Sequence, residues 1–573
     1  MIREEIEALL DEALGKQGGG VLNTRGSVLE HPSSLSHGDY ATSVALVIAR
    51  KKGVPALEFA KLVASSFQKN ELVESVSVAD PGFINIRLSK KGIGTAISTI
   101  DDNFGKNENR NGMREMYEYT DPNPFKVFHI GHMMSNTIGE SLSRLAEQSG
   151  AKVVRANYQG DVGLHVAKAI YGMKNTIDRM PGELATLSEK TRWLGDAYVV
   201  GAKHYEDDKS AKEEIDILNK KIFEKSDEEI NKLYEKGREW SLSHFEEIYK
   251  KLGTKFDHYF FESDVAGRGI EIVKDGESKG VFKESDGAMV FEGEKHGLHT
   301  RVFLNGAGLP TYETKDLGLN VSKFATVEDL DVSVIITANE QNEYFKVMLK
   351  ALSFSHPEVS NKTRHMGHGM MLGTNGKKMS SRTGEVITGE GLLLEMEELA
   401  RIKVRLTNIN ADEEEEEMIA TRVAVAAIKY SVLKQQIGKN IVFDREKALS
   451  FEGDSGPYLL YTYARAKSVL RKGESEGILT DSGMPKDWQL TELERKLYWL
   501  PEIIERATDE TSPNLVATYL IDVAQTFNTY YSNTKLVDSE DHASPYKLYL
   551  TKALSHVLKN GLYALGIETV ERM

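Results

Sequence analysis

Apolar residues recur at helical spacing from the start of the chain. Ile2, Ile6, Leu9 and Ala13 in MIREEIEALLDEALGK share one face, and Gly18-Gly19-Gly20 breaks the pattern. A helical stretch near 55–70 and short strands around VSVADPGFINIRL, turned by Pro81-Gly82, complete an α+β unit over residues 1–110. REMYEYTDPN then reads as a strand ending at Pro122. The helix after it carries Met134, Ile138, Leu142 and Leu145 on one face and stops at Gly150. AKVVRANY is the next buried strand, and strand, helix and strand within one crossover length predict a Rossmann-like start. From about 165 to 300 a strongly charged helical stretch interrupts the rhythm and reads as an insertion. Sheet signals resume near LPTYETKDLGL and in the β-branched VSVIITA, closing a parallel-sheet domain over 111–405. Beyond RIKVRL, the acid run Glu413 to Glu417 reads as a solvated helix start, and periodic apolar segments predict an α-helical bundle over 406–573. The expected class is therefore α/β multidomain: a Rossmann-like domain with a helical insertion, flanked by an N-terminal α+β domain and a C-terminal helical domain.

Bulk properties narrow the function by exclusion. At 573 residues the chain exceeds what one hydrophobic core supports. With 40% hydrophobic and 28% charged residues, it has no run long enough to cross a bilayer, so no membrane partner is expected. The opening helix mixes in acids, unlike a secretory or transit segment, and a cytoplasmic location is expected. The absence of cysteine excludes disulfides, thiolate zinc sites and cysteine nucleophiles. A net charge of −15 argues against a generally basic nucleic-acid coat, although local patches can still bind a phosphate backbone.

Two motifs carry candidate chemistry. DPNPFKVFHIGH, residues 121–132, stands where the first parallel strand hands over to a helix, a phosphate site by position. There His129 and His132 can donate to phosphate oxygens, and Gly131 lets a flat base approach the backbone without a Cβ in the way. About 240 residues later, GMMLGTNGKKMSSRTG sets a Lys-Lys-Met-Ser-Ser-Arg core between glycines, a mobile basic loop from which Lys378 can reach a triphosphate. A chance His-x-Gly-His and a bland basic turn are the ordinary explanations of each motif alone.

In this order and on this fold, the two motifs resemble the HIGH and KMSKS signatures of class I aminoacyl-tRNA synthetases. The resemblance narrows to the arginyl-tRNA synthetase family. Matching stretches run from HGDYAT and PGFINIRL, through YEYTDPNPFKVFHIGH, NYQGDVG and LPTYETKDLG, to FEGDSGPYLLYTYARAKSVLRK and NGLYALGIETVERM. It implies ATP-dependent ligation of L-arginine to its tRNA through an arginyl-adenylate, with Mg2+ carried by the nucleotide and no dedicated protein metal site. His129, Gly131, His132, Lys126, Lys378, Met379 and Ser380 are then the ATP site, with the two histidines and the two lysines catalytic. Ser381 and Arg382 depart from KMSKS, and Lys126, just ahead of the HIGH segment, matches the family's replacement for the missing cation.

The guanidinium is a planar cation with five donors and pairs best with carboxylates. The resemblance puts Glu118 and Asp316 beside it, Tyr312 and Gln341 along the wall, and Asn123 on the amino-acid backbone. Tyr312 and Asp316, four residues apart, share a face if their segment is helical. An ion pair to a protein base is the structural competitor for either acid. Val162 and Tyr344 depart from the family's usual Trp and His. Aromatics and bases interleave at Tyr458, Tyr461 and Arg465, where the resemblance places anticodon recognition, with helix packing equally open for the tyrosines. The N-terminal unit resembles the family's additional tRNA-binding domain, with His37 to Thr42 open to a purely structural role. The resemblance further implies a monomer whose activation step needs bound tRNA. A synthetase for another amino acid and a catalytically silent RNA binder are the rivals.

Overall fold

A computed structural model describes residues 2–18, 29–32, 34–67, 70–377, 379, 387–407 and 411–573. Its centre is a five-stranded, wholly parallel sheet. The strands lie in the order Thr363–His368, Val332–Ala338, Arg114–Glu118, Lys152–Gln159, His258–Phe261. The chain enters at the middle strand, Arg114–Glu118, moves one way through Lys152–Gln159, and later returns on the other side with Val332 opposite Glu115 and Ile335 opposite Glu118. The order of strands therefore reverses beside Arg114–Glu118, and the crevice beyond the carboxyl ends there is where an open α/β sheet takes ligands. The helix Ile130–Gln148 follows this strand, buried along most of its length against the sheet and the C-terminal helices.

The charged stretch after residue 163 folds into four helices, Leu164–Asn175, Leu187–Asp207, Lys209–Glu224 and Glu228–Leu252. They enclose a small core of their own around Trp193, Leu194, Ile215, Leu218 and Trp240. The insertion expected over 165–300 is not continuous, however. His258–Phe261 returns to the parallel sheet as its edge strand, and a separate antiparallel sheet of Lys283–Ser285, Ala288–Phe291 and Arg301–Leu304 follows the helix Glu262–Ser278. The edge strand has only four residues and sits among charged helices, too short for a period-two signal. LPTYETKDLGL, expected to resume the sheet, is instead the start of the helix Tyr312–Thr326. Residues 313–320 are buried without a break, and Leu317 and Leu319, two apart, give the segment the spacing of a strand although it is helical.

At the N-terminus, Phe83–Leu88 lies between Tyr40–Thr42 and Val73–Ala79 in an antiparallel sheet backed by helices that include Ile2–Lys16. This unit is fastened to the C-terminal helices. Asp39 takes both of its ion-pair contacts from Arg495, at 2.6 and 2.7 Å, and accepts Leu88 N–H at 2.7 Å. Tyr40 donates to Glu502 at 2.6 Å, and His31 stacks on Trp499 with ring centroids 4.0 Å apart. The segment His37 to Thr42 thus includes an interdomain fastener. The acid run opens the helix Glu413–Leu433, capped by Asp412. No helix among the described residues is long and apolar enough to cross a membrane.

Candidate active site

Beyond Glu118 the chain turns sharply. Thr120, Asp121 and Phe125 take φ of 79°, 47° and 66°, left-handed values that side chains other than glycine rarely adopt. The surroundings hold them there. Thr120 N–H donates to Ser135 Oγ at 3.0 Å, Asp121 Oδ1 accepts Tyr158 N–H at 2.8 Å, and Phe125 N–H donates to Ser241 Oγ at 3.0 Å. Phe125's ring fills the space that a side chain at Gly237 would need. In the same way a Cβ on Gly160 would collide with Asn123 Oδ1, so the glycine of NYQGDVG is what seats Asn123. The aspartate of that motif, Asp161, is fully buried and gathers Tyr234, Arg238 and Ser263, tying the helical insertion to this turn. Val162, where the family usually has Trp, packs into the insertion's core.

The turn ends in two stacked imidazoles. His129 caps the helix Ile130–Gln148: its Nδ1 accepts His132 N–H at 3.3 Å, while His132 Nδ1 accepts His129 N–H at 3.2 Å. The ring centroids are 3.4 Å apart. Because both Nδ1 atoms accept, the neutral rings carry their protons on Nε2. Burial first, then the Lys126 charge, lowers His129 to about 4. Burial, then the charge of His129, holds His132 well below its ordinary value. Both therefore offer uncharged N–H donors at neutral pH. The space freed at Gly131 is taken by the His129 ring, 3.0 Å from where a Cβ would stand. Stacking of the histidines is one thing the missing side chain at this glycine permits. Lys126 lies 5.2 Å above the ring of Tyr198 from the insertion, its pKa lowered by burial against the opposing pull of Glu262.

Lys378 and Ser380 lie outside the described residues. Met379 is buried, and its carbonyl accepts Ile387 N–H at 3.3 Å. Gly389 N–H then donates to Phe128 O at 2.8 Å, so the base of the lysine-containing segment is fastened to the histidine turn.

On the other side of Glu118 lies an excess of acid. Tyr312 and Asp316 share the helix Tyr312–Thr326; Tyr312 is exposed, with the Lys315 ammonium 4.4 Å over its ring, and Asp316 is buried. Asp316 Oδ2 accepts the Tyr344 hydroxyl at 2.6 Å, so the residue that replaces the family's usual His is a direct partner of this buried acid. Burial raises Asp316 to about 7, and Glu118 and Glu262 add to the shift. Asp121 is also pushed well up, by burial and then by Glu118. Gln341 is exposed just beyond the strand Val332–Ala338, at the head of the helix that carries Tyr344. For Glu118 the competing structural role is realised: it forms an ion pair with Lys323, which is wholly buried.

Reasoning from sequence passed over Lys323, the equally buried pair of Glu262 and Lys315, and Asp121 as a pocket acid. Lys323 alone had a readable signal. It follows Asp316 by seven residues, two helical turns, and so shares its face.

The third group of candidates stands on the helix Gly456–Ser475. Arg465 donates to Tyr461 at 3.0 Å and to Asn528, and packs over the rings of Tyr461 and Tyr531 at 4.6 and 4.9 Å. Tyr458 accepts from Asn528 at 2.9 Å, a helix-packing contact. Tyr461, Arg465, Arg471, Tyr531 and Arg572 line an open cavity of about 410 Å³.

Comparison with known proteins covers all three regions. Residues 97–445 match the model for the catalytic domain of tRNA synthetases class I (R). Residues 2–88 match that for the arginyl tRNA synthetase N terminal domain, and 459–573 that for the DALR anticodon binding domain. An arginine–tRNA ligase of Fusobacterium nucleatum is 32% identical over 94% of this chain and 93% of its own. One from Clostridium botulinum is 30% identical over 95% and 96%. The fold superposes on Thermus thermophilus arginyl-tRNA synthetase with a TM-score of 0.81 at 23% identity, each chain covered in full. With its buried acids set near the histidine turn and all three domains matched, the chain belongs to the arginyl-tRNA synthetases of class I.

Proposed function

We propose that this site carries out its family's reaction, ATP-dependent attachment of L-arginine to tRNA, with the following division of labour. Asp316 and the free oxygen of Glu118 receive the guanidinium, Tyr312 and Gln341 flank its stem, and Asn123 holds the amino-acid backbone. An arginine carboxylate oxygen attacks the α-phosphorus of ATP, the bond to the β-phosphate bridging oxygen breaks, and pyrophosphate leaves. His129 and His132 donate Nε2–H to phosphate oxygens, while Lys126 and Lys378 take up charge that grows on the phosphates; positioning and electrostatics supply the rate. In the second step the terminal ribose hydroxyl of tRNA attacks the adenylate's carbonyl carbon and AMP leaves. The groups facing the phosphates are N–H donors, which suit anions and not a cation, so Mg2+ arrives with the nucleotide and adds charge neutralisation. Tyr461 and Arg465 meet unstacked tRNA bases, and the N-terminal domain adds a second tRNA contact. One chain supplies every residue named, consistent with a monomer, and a cytoplasmic location fits the supply of all three substrates.

The observation that carries this reading is the short path from Glu118 to His129. Ten residues, 119–128, join a buried cluster of acids to a helix N-terminus bearing paired imidazole donors. ATP consumption with tRNA and each amino acid in turn tests it. Turnover with arginine alone is expected; turnover with another amino acid, or with none, refutes it.

A further inference from the structure

Lys323 is 0% exposed, and its ammonium meets Glu118 across the gap between the helix Tyr312–Thr326 and the strand Arg114–Glu118. Apart from this ion pair, neither Lys323 Nζ nor Glu118 Oε2 has a hydrogen-bond partner among the described residues. Two turns back on the same helix is Asp316, tied through Oδ2 to Tyr344. One oxygen of each pocket acid is thus already engaged by the protein. What remains for a ligand is one oxygen on each of two separate carboxylates.

A planar fork with five donors can serve two such oxygens at once, whereas an ammonium acts as a point charge. We infer that Lys323 is a specificity-determining residue: by occupying one oxygen of Glu118 it removes the place a substrate ammonium would take and leaves acceptors that only a guanidinium spans. Lys323 therefore sets the choice of arginine over lysine without itself contacting the reacting atoms. This rests on the reading that Glu118 and Asp316 flank the substrate's side chain.

The same ammonium is the fixed cation of the cluster. It faces Glu118 on the strand, Asp121 on the turn and Asp316 on its own helix, with Tyr158, Tyr344 and Glu262 contributing from neighbouring elements. Losing it moves protonation of the acids, and hence the pH dependence of arginine affinity, to higher pH.

The test is calorimetric binding of arginine and of lysine to the full chain between pH 6 and 9, for wild type, Lys323→Gln, Lys323→Met and Lys323→Arg. In the Gln and Met variants the lysine-to-arginine affinity ratio is expected to rise by about tenfold or more, and the pH midpoint for arginine by roughly one unit. Lys323→Arg should restore both. An unchanged ratio and midpoint in a folded Gln or Met variant overturns the inference. If neither folds, Lys323→His is read across the same pH range: its lysine-to-arginine ratio is expected to rise as the imidazole loses its charge, and a wild-type ratio at pH 9 overturns the inference equally. Asp316→Asn, run in parallel, separates the two failures. If arginine binding survives Asp316→Asn, the pocket reading is wrong; if it is lost while Lys323 variants discriminate normally, only the role of Lys323 is wrong.

Discussion

Asp39 and Glu502, at the seam between the N-terminal and helical domains, are as deeply buried as Asp316, and their partners are of a different kind. Asp39 has Arg495 on both contacts, and Glu502 has Arg3 at 3.0 Å, the His31 ring at 3.2 Å and the Tyr40 hydroxyl. For Glu502 these partners outweigh a large burial penalty and leave its pKa below the usual value, the largest opposing contribution coming from His31. Asp316 has one neutral donor, and burial wins, carrying it to about 7. Asp39 and Glu502, each in direct contact with a protein cation, join two domains; Asp316, whose direct partner is a neutral hydroxyl, is the acid proposed to meet a cation from outside. Burial alone does not tell the two apart.

The sharpest way to break this distinction is to neutralise one acid of each kind. Asp316→Asn leaves the guanidinium uncompensated at about 3 kcal/mol, so kcat/KM for arginine should fall at least ~10²-fold with little change in melting temperature. Asp39→Asn leaves the largely covered Arg495 unpaired, and should destabilise the fold by about 3 kcal/mol while KM for arginine holds. Thermal melts and steady-state aminoacylation of both variants decide it. Equal effects on stability from the two would erase the contrast.

The phosphate side sharpens the comparison in another way. His132→Ala removes one Nε2–H donor, and kcat should drop by ~10²-fold with arginine affinity unchanged. Since His129 and His132 are already neutral above pH 6, their contribution should be flat from pH 6 to 8. Any pH dependence of arginine binding in that window then belongs to the acids. Arginine favours ionised Asp316, so its affinity should weaken by up to about tenfold per unit as pH falls below about 7. Tyr344→Phe removes a bond that stabilises the carboxylate, and calorimetry should find the midpoint higher still.

Stability of the arginine-free protein should respond with opposite signs at the two places. Asp316, raised in the fold above its ordinary value of 3.8, holds a proton that the unfolded chain has lost, so its contribution declines as pH climbs from there to about 7. Glu502, lowered in the fold, stabilises above the ordinary carboxylate range and ceases to as pH falls through its folded pKa.

What the chain revealed in advance follows the range of the interactions involved. The strand before Pro122, the helix after it and the C-terminal helices carry their own periodicity, and local order sufficed to read them. The histidine turn was legible as a motif because its parts are contiguous. Its reason was not: that Gly131 accommodates the His129 ring, and that both Nδ1 atoms are spent on capping, depends on the fold of the turn. The ion pair of Glu118 and Lys323 joins residues 205 positions apart, and the edge strand His258–Phe261 owes its place to pairing with Lys152–Gln159. Beyond the helical spacing of Lys323 from Asp316, such long-range facts leave no local trace. Tyr344 looked like a defect in a pattern and proved to be a partner of Asp316.

The smallest effect is expected at the far end of the molecule, where the comparison between paired and unpaired charge applies to a base. Arg465 has no carboxylate partner among the contacts described for it; Asn528 and Tyr461 orient its guanidinium, and two tyrosine rings support it beside an open cavity. A cation held by neutral groups at a surface is available to a phosphate or an unstacked base in the way Asp316 is available to arginine. Exposure to solvent weakens the interaction, and one stacking or phosphate contact is worth about 1 kcal/mol here. Arg465→Ala should therefore raise KM for tRNA by roughly fivefold, leave KM for arginine and ATP unchanged, and flatten the salt dependence of tRNA binding. A filter-binding titration across salt concentrations measures this. If tRNA affinity and its salt slope match the wild type, Arg465 belongs with the packing residues beside Tyr458.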